Sequence, residues 1–410
     1  MPDTDAAHAR GTRMTSRRGL ILGSAAAAVG AAAGFSAAGL PPGAAAAEPD
    51  QALHGAETIA FHGQRQPGIT TPAPAFATFL ALDLIPEAGA NEATTRDVLA
   101  RLLKIISDDA SRLMDGRGIL ADTEPEMAAN PARLTLTVGL GQHAAAILNP
   151  DLVPGWLKDL PRFSVDRLDK AWGQSDVLVQ FCGDDQVSLL HARRAIQKDL
   201  RTLARTKWVQ DGFRHSRGSL PEGATMRNLF GQKDGTGNPV DAMLERAVFG
   251  DEGLEPWVAD GTSLVLRRIE MDLEAWDEVD RPARDFSLGR RQSDGSPLTG
   301  EHEFDSPDLR MRDAAGFPVI SAASHVARSQ ARETDEKILR RGYNYLDGTK
   351  AGLLFASYQC DVERQFVPIQ QRLDAADLLN EWTTPIGSAV YAILPGCREG
   401  SFLGKELLAT

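Results

Sequence analysis

Phe76-Ala-Thr-Phe-Leu-Ala-Leu-Asp-Leu84 reads as a buried strand, and the segments that follow it set the fold. From Thr95, apolar Leu99, Leu102, Ile106, Ala110 and Leu113 recur at three- and four-residue steps, which is one face of a helix. Residues 133–140 alternate Leu134, Leu136 and Val138 with Thr135 and Thr137 and predict a strand. Residues 176–182 predict another. Leu189, Ala192, Ile196, Leu200 and Leu203 mark a second amphipathic helix, and 206–213 a fourth strand. The order β-α-β-β-α-β is that of a ferredoxin-like α+β sandwich.

The second half carries part of the same rhythm. A strand is expected over 262–272, a helix over 273–285, a strand over 352–359, a helix over 365–381 and a strand over 388–394. Residues 286–315, rich in Gly, Ser, Asp and Pro, read as a long surface loop. The duplication is one of element order, with no repeat in the sequence itself. The expected fold class is α+β: an N-terminal ferredoxin-like half over 56–215 packs against a C-terminal one over 216–405, with a ligand site between them.

Composition excludes several functions. Hydrophobic residues make up 42% of the 410 and charged ones 24%, which is globular rather than disordered or fibrous. A net charge of −12 supplies no basic field for nucleic acid. Cys182, Cys360 and Cys397 are too far apart for a Cys-x-x-Cys metal or redox motif.

Residues 1–47 differ from the rest. Arg17-Arg18 precede an uncharged Ala/Gly-rich stretch from Gly19 to about Leu40, and small Ala44 to Ala47 stand before acidic Glu48 and Asp50. This is the layout of a cleavable signal, and the twin arginine with a weakly apolar middle points to the route that exports folded cargo. The expected destination is periplasmic, extracellular or at the cell surface, without stable membrane insertion. An uncleaved anchor is the alternative, although Ala and Gly gain little from lipid. Export after folding suits a protein that acquires a cofactor first.

Gly231-Gln-Lys-Asp234-Gly235-Thr236-Gly237-Asn238-Pro239 is the most turn-dense segment after residue 47. Its glycines let backbone approach a ligand closely while presenting one acid, or else Asp234 caps its own turn. No Gly-Lys-Ser/Thr follows for a phosphate loop. A calcium loop would need Gly where Pro239 stands. The histidines after residue 47 are His54, His62, His143, His191, His215, His302 and His325, and no two share the i, i+3 or i, i+4 spacing of a zinc site. His191 falls on the polar side of its helix. His325 precedes a basic turn over Lys337–Tyr343. No Gly-x-Ser-x-Gly elbow marks a serine hydrolase.

Gly231-x-x-Asp234-Gly235, His325 and Ile338-Leu339-Arg340, taken in that order, resemble the motif series of the dye-decolourising (Dyp-type) haem peroxidases. So do Gly352-Leu-Leu-Phe-Ala-Ser-Tyr-Gln359, Arg364-Gln-Phe-Val-Pro-Ile-Gln370, Phe61-His-Gly-Gln-Arg-Gln66 and Gly68-Ile-Thr-Thr-Pro72. The resemblance spans about residues 56–400 and is closest to the exported bacterial subgroup with deferrochelatase-like members.

That resemblance implies a dimeric α+β barrel-type fold around haem b (iron protoporphyrin IX), in which His325 is the metal ligand. Asp234 and Arg340 would be catalytic on the opposite side, with Gly235, Thr236, Gly237 and Arg340 against the cofactor. Asp374 or Asp377 would hold the second nitrogen of His325. Asp234 would move a proton between the oxygens of hydrogen peroxide, and Arg340 would stabilise the charge on the departing one. Because aspartates titrate near 3.9 in model peptides, an acidic optimum is expected. Arg341 directly follows Arg340, and the Ile-Leu-Arg register favours Arg340. Arg328 stands three residues after His325, where related sequences more often place Arg at the second position. Large substrates would be oxidised at the surface by electron hopping, with Tyr343, Tyr345, Tyr391 and Trp382 as candidates.

The implied function is reduction of hydrogen peroxide with oxidation of an organic electron donor or dye. The alternative is deferrochelatase-like release of iron from haem, and a third reading is a non-catalytic scaffold. Beyond peroxide and the organic reductant, a second copy of the chain and an iron-uptake component stay open as partners.

Overall fold

The computed structural model describes residues 54–86, 91–250, 259–333 and 336–408; the segment read as an export signal lies outside them. The first half runs β1 (Phe76–Leu84), α1 (Glu92–Met114), β2 (Thr135–Leu140), α2 (Gln142–Leu148), β3 (Val177–Gly183), α3 (Gln186–Leu200) and β4 (Ala204–Phe213). Asn91 caps α1 by accepting from Thr94 N at 3.0 Å, and Asp185 caps α3 by accepting from Ser188 N at 2.8 Å, so each helix starts where a short polar side chain satisfies a free amide. The leucine and isoleucine face of α1 is buried as its spacing requires.

The second half runs β5 (Met226–Arg227), β6 (Lys233–Asp234), α4 (Asp241–Phe249), β7 (Thr262–Met271), α5 (Leu273–Asp277), α6 (Arg281–Leu288), α7 (His325–Ser329), β8 (Leu339–Arg340), β9 (Tyr343–Asp347), β10 (Lys350–Gln359), α8 (Val367–Ala376) and β11 (Thr383–Ile393). Three expectations are corrected. The helix expected over 273–285 is two, because Asp280 caps a fresh start with Pro282 in the first turn. The helix expected over 365–381 is a π-turn over Val362–Phe366, then α8, then a 3₁₀ turn over Leu378–Glu381. The basic turn over Lys337–Tyr343 is two strand segments: β8 continues β9 along one edge of β10 in unbroken register, from Lys350↔Asp347 to Tyr358↔Leu339. With β9 in place, the second half completes β-α-β-β-α-β.

Both halves form antiparallel sheets, and the sheets join edge to edge. β4 meets β9 at Phe213↔Asn344, β11 meets β2 at Ala392↔Leu140 and Ile393↔Gly139, and β7 pairs with both β10 and β11. The ring β7-β11-β2-β3-β1-β4-β9-β10 therefore closes on itself as a barrel. Gln66 reinforces the β2–β11 seam. Its amide nitrogen donates to the carbonyls of Val138 and Leu394 at 2.8 and 2.9 Å, and its amide oxygen accepts from Val138 N at 2.7 Å.

Strand alternation sorts side chains to the two faces. Phe79, Leu178, Tyr343, Tyr345, Leu354, Tyr358 and Tyr391 fill the interior with the smaller Ala77, Ala81 and Ala356. Leu80, Leu82, Val177, Val179 and Phe181 point outward under α1 and α3. Tyr343, Tyr345 and Tyr391 are thus fully buried barrel residues rather than surface aromatics, and Trp382 packs edge-on against buried Trp276. His191 is buried too and pairs through Nε2 with Asp122 at 2.9 Å, because the loop around Asp122 covers the polar side of α3. Among the described residues no helix is long and apolar enough to cross a membrane.

Candidate active site

A cavity of about 420 Å³ lies on the outer face of the C-terminal sheet. Its floor is the outward face of two neighbouring strands, Arg267, Ile269 and Met271 of β7 with Leu353 and Phe355 of β10. Its walls are α7, α8, the β6 turn and the loop that follows α6. Among the described residues the N-terminal half contributes Val165 alone, so the expectation of a site between the halves is corrected. The two sheets are spent in closing one barrel whose interior is packed solid, and the open ground is the uncovered outer face of β7 and β10.

His325 opens α7, which Ser324 caps. Its Nδ1 donates to Asp377 Oδ2 at 2.6 Å, while Asp377 Oδ1 accepts from Leu379 N at 3.0 Å. The carboxylate is thus fixed from both sides, and with Nδ1 carrying the proton the lone pair sits on Nε2. The imidazole lies deep in the protein yet keeps 29% of its side chain accessible, because that surface faces the cavity. Burial pushes its pKa down, but the Asp377 charge and hydrogen bond outweigh burial and hold it above the ordinary histidine value. Asp374 plays a different part. It accepts from Ser164 Oγ at 2.8 Å and Val165 N at 3.0 Å, tying the one N-terminal segment that reaches the cavity to α8.

Asp234 and Arg340 meet on the wall formed by β6 and β8. Arg340 Nη1 donates to Asp234 Oδ1 at 3.4 Å. Strand parity decides which arginine faces the cavity. Arg340 lies opposite Ser357 on the outward side of β10, whereas Arg341 lies opposite the inward Ala356 and points into the barrel, where it donates to Thr71 O. Asn238 occupies the free edge of β8 as a further strand would: its Nδ2 donates to Arg340 O at 2.8 Å and its Oδ1 accepts from Arg340 N at 3.1 Å. Thr236 and Gly237 reach the cavity wall. Gly235 stands behind it at φ +128°, a conformation that side chains strain to adopt. Arg328 is absent from the lining.

Arg290 was not legible as a site residue. It lines the cavity while its guanidinium donates to the carbonyls of Gly295 and Glu303. Burial pushes its pKa down and outweighs the pull of Glu303 and Asp305, with the neighbouring Arg340 adding to the depression.

Two family models cover most of the chain: "Dyp-type peroxidase, N-terminal" matches residues 66–214 and "Dyp-type peroxidase, C-terminal" matches 225–398. The chain belongs to the Dyp-type peroxidase family. A dye-decolorizing peroxidase of Thermobifida fusca is 35% identical over 99% of both chains. A deferrochelatase of Shigella boydii is 31% identical, covering 85% of this chain and 86% of its own. The crystal structure of a DyP-type peroxidase from Cellulomonas bogoriensis superposes with a TM-score of 0.83 at 44% identity, covering 88% of this chain and 100% of that one.

Dyp-type peroxidases are haem enzymes, and the cavity suits that cofactor. Apolar Ile269, Met271, Leu353, Phe355 and Ile369 offer a surface for a macrocycle, and an imidazole of fixed tautomer offers a ligand for iron. Arg290 and Arg340 on the cavity wall offer the positive charge that carboxylate substituents need.

Proposed function

We propose that this Dyp-type peroxidase works through His325, Asp377, Asp234 and Arg340, and the fixed His325–Asp377 pair on the cavity wall is the observation that carries the assignment. Haem bound in the cavity supplies the iron at which hydrogen peroxide is reduced and the oxidising equivalents passed to an organic donor. His325 Nε2 holds that iron, while the Asp377 carboxylate orients the ring and raises its basicity. Asp234 takes a proton from one peroxide oxygen and returns it to the other. Arg340, charged throughout, stabilises negative charge on the departing oxygen and lies within reach of Asp234. Arg290 binds a carboxylate of the porphyrin.

Asp377→Asn tests this most gently. An amide keeps the size of the side chain but weakens the bond to Nδ1, so haem affinity or peroxide-dependent dye oxidation should fall by roughly 10- to 100-fold, as for other partners of metal-bound histidines. Asp374→Asn, which disturbs only the tether to Ser164 and Val165, should leave the haem spectrum as in the wild type. Equal effects of the two changes would count against the assignment.

The deferrochelatase relative supports a second reading of the same cavity, iron release from haem. Incubating the haem-loaded protein with reductant in one sample, and with hydrogen peroxide and dye in another, separates the two: metal-free porphyrin appears in the first if iron is released, and oxidised dye in the second without free porphyrin in either if peroxidation is the main reaction. Export of the folded protein is part of the proposal, supported by Arg17-Arg18 ahead of the Ala/Gly-rich stretch. Replacing both arginines by lysine should keep the protein in the cytoplasm on cell fractionation; undiminished export would count against the twin-arginine route.

A further inference from the structure

Glu303 belongs to the loop between α6 and α7, far in sequence from Asp234, yet its carboxylate holds the residues on both sides of that acid. Lys233 Nζ donates to Oε2, Thr236 Oγ1 donates to Oε1 at 3.0 Å, and Thr225 Oγ1 donates to the same oxygen. Its own backbone is tied in as well, because Arg290 Nη1 donates to Glu303 O at 2.7 Å. The side chain is 13% exposed, so these bonds form largely out of water. Burial pushes the Glu303 carboxyl up, and the bonds from Lys233, Thr225 and Thr236 outweigh it and keep the group below the ordinary glutamate value.

We infer that Glu303 is a positioning residue for Asp234, which it serves by fixing the β6 turn and by drawing the Lys233 ammonium away from the catalytic carboxylate. The need for such a clamp follows from the local backbone. Asp234 ends a two-residue strand and is followed by Gly235, whose φ of +128° gives the chain a joint rather than a brace. Arg340 is a long 3.4 Å from its carboxylate. Lys233, on a flexible four-carbon stem one residue away, would otherwise be free to pair with the acid that must stay available to peroxide. Glu303 removes that competitor and pins Thr236 with one carboxylate. The next residues, Phe304, Asp305, Ser306 and Pro307, line the cavity, so the same short segment forms its rim and steadies the acid within it.

The inference rests on Asp234 as the proton-moving group, and a double-mutant comparison separates the two ideas. The rate constant for the reaction of the haem-loaded protein with hydrogen peroxide is measured in wild type, Glu303→Ala, Asp234→Asn and the double variant. Amide exchange over residues 231–239 is followed in the haem-free proteins. A displaced acid should slow the Glu303→Ala reaction by roughly 10- to 100-fold, with KM for the dye and the haem dissociation constant within about twofold of wild type. In the Asp234→Asn background the Glu303→Ala change should have no further effect on the rate, which a general loss of structure would not produce. Exchange over 231–239 should quicken in Glu303→Ala without haem. Glu303→Gln, which keeps an acceptor for both threonines and loses the Lys233 ion pair, should lie between and serves if the alanine variant does not fold. A folded Glu303→Ala protein with wild-type peroxide rate, or with unchanged exchange over 231–239, overturns the inference. An undiminished rate in Asp234→Asn overturns the reading of Asp234 instead.

Discussion

His325→Ala should cost more function than any other single change. Loss of the imidazole on the cavity wall should weaken haem binding by on the order of 100-fold or more and lower peroxide-dependent dye oxidation by on the order of 1000-fold, beyond the effect of losing a mere partner of that ligand. Part of the loss will appear as instability. Asp377 is 4% exposed, and without the imidazole its Oδ2 becomes a buried charge facing an empty space. A thermal melt of the haem-free variant measures that part. The remainder should respond to added imidazole, which fits the volume the ring vacates and restores both the Asp377 bond and a nitrogen for iron. A variant that keeps the wild-type Soret band and dye oxidation would remove His325 from the mechanism.

Asp234 and Arg340 should each be nearly as costly, but in a different way. Asp234→Asn removes the proton carrier and should slow the peroxide step by roughly 10²- to 10⁴-fold. Arg340→Leu removes the fixed positive charge and should slow it by roughly 10²- to 10³-fold. Haem should still bind in both through the His325–Asp377 pair and Arg290, more weakly in Arg340→Leu, which also loses a positive charge facing the porphyrin carboxylates. Because Arg340 donates to Asp234, the effects will not add: the double variant should be little slower than Asp234→Asn alone. Rapid-mixing absorbance at the Soret band, taken against peroxide concentration, separates this step from later oxidation of the dye. Full additivity would mean that the two residues act on separate events.

The strands were legible because burial on one or both faces leaves an apolar or alternating pattern in each run, as in Phe76–Leu84 and residues 176–182. β9 was hidden because its inward Tyr343 and Tyr345 sit beside Arg340 and Arg341, and a charged run reads as a turn until it is known that one arginine faces a cavity and the other the barrel interior. The Gly231–Pro239 turn stood out by its density of turn residues, but His325 was one of seven histidines after residue 47, and the family resemblance is what placed the two in one site. Asp374 and Asp377 could not be separated, because that choice depends on where α8 ends: Asp377 falls on the cap that turns toward His325, and Asp374 on the preceding turn. Asn238 acts through a contact 102 residues away and Glu303 through one 70 residues away, while Arg290 matters by its place on the cavity wall, and spacing carries no record of any of these.

The closed ring has a temporal consequence. The β2–β11 seam pairs Leu140 with Ala392 and Gly139 with Ile393, residues some 250 positions apart, so the barrel cannot close until the last strand has left the ribosome. Pairings at such sequence separation make folding slow, because loop-closure entropy is lost before the contacts return anything. Until β11 arrives, the edges of β2 and β7 are exposed and open to pairing with other chains. His325 and Asp377 are both synthesised before that strand, and the β7–β10 floor they face can pair without it, but Thr383 and Pro385 of β11 complete the cavity lining. Cofactor capture is therefore a late, post-translational event, and a chain truncated before Thr383 should aggregate rather than accumulate as a haem-binding fragment.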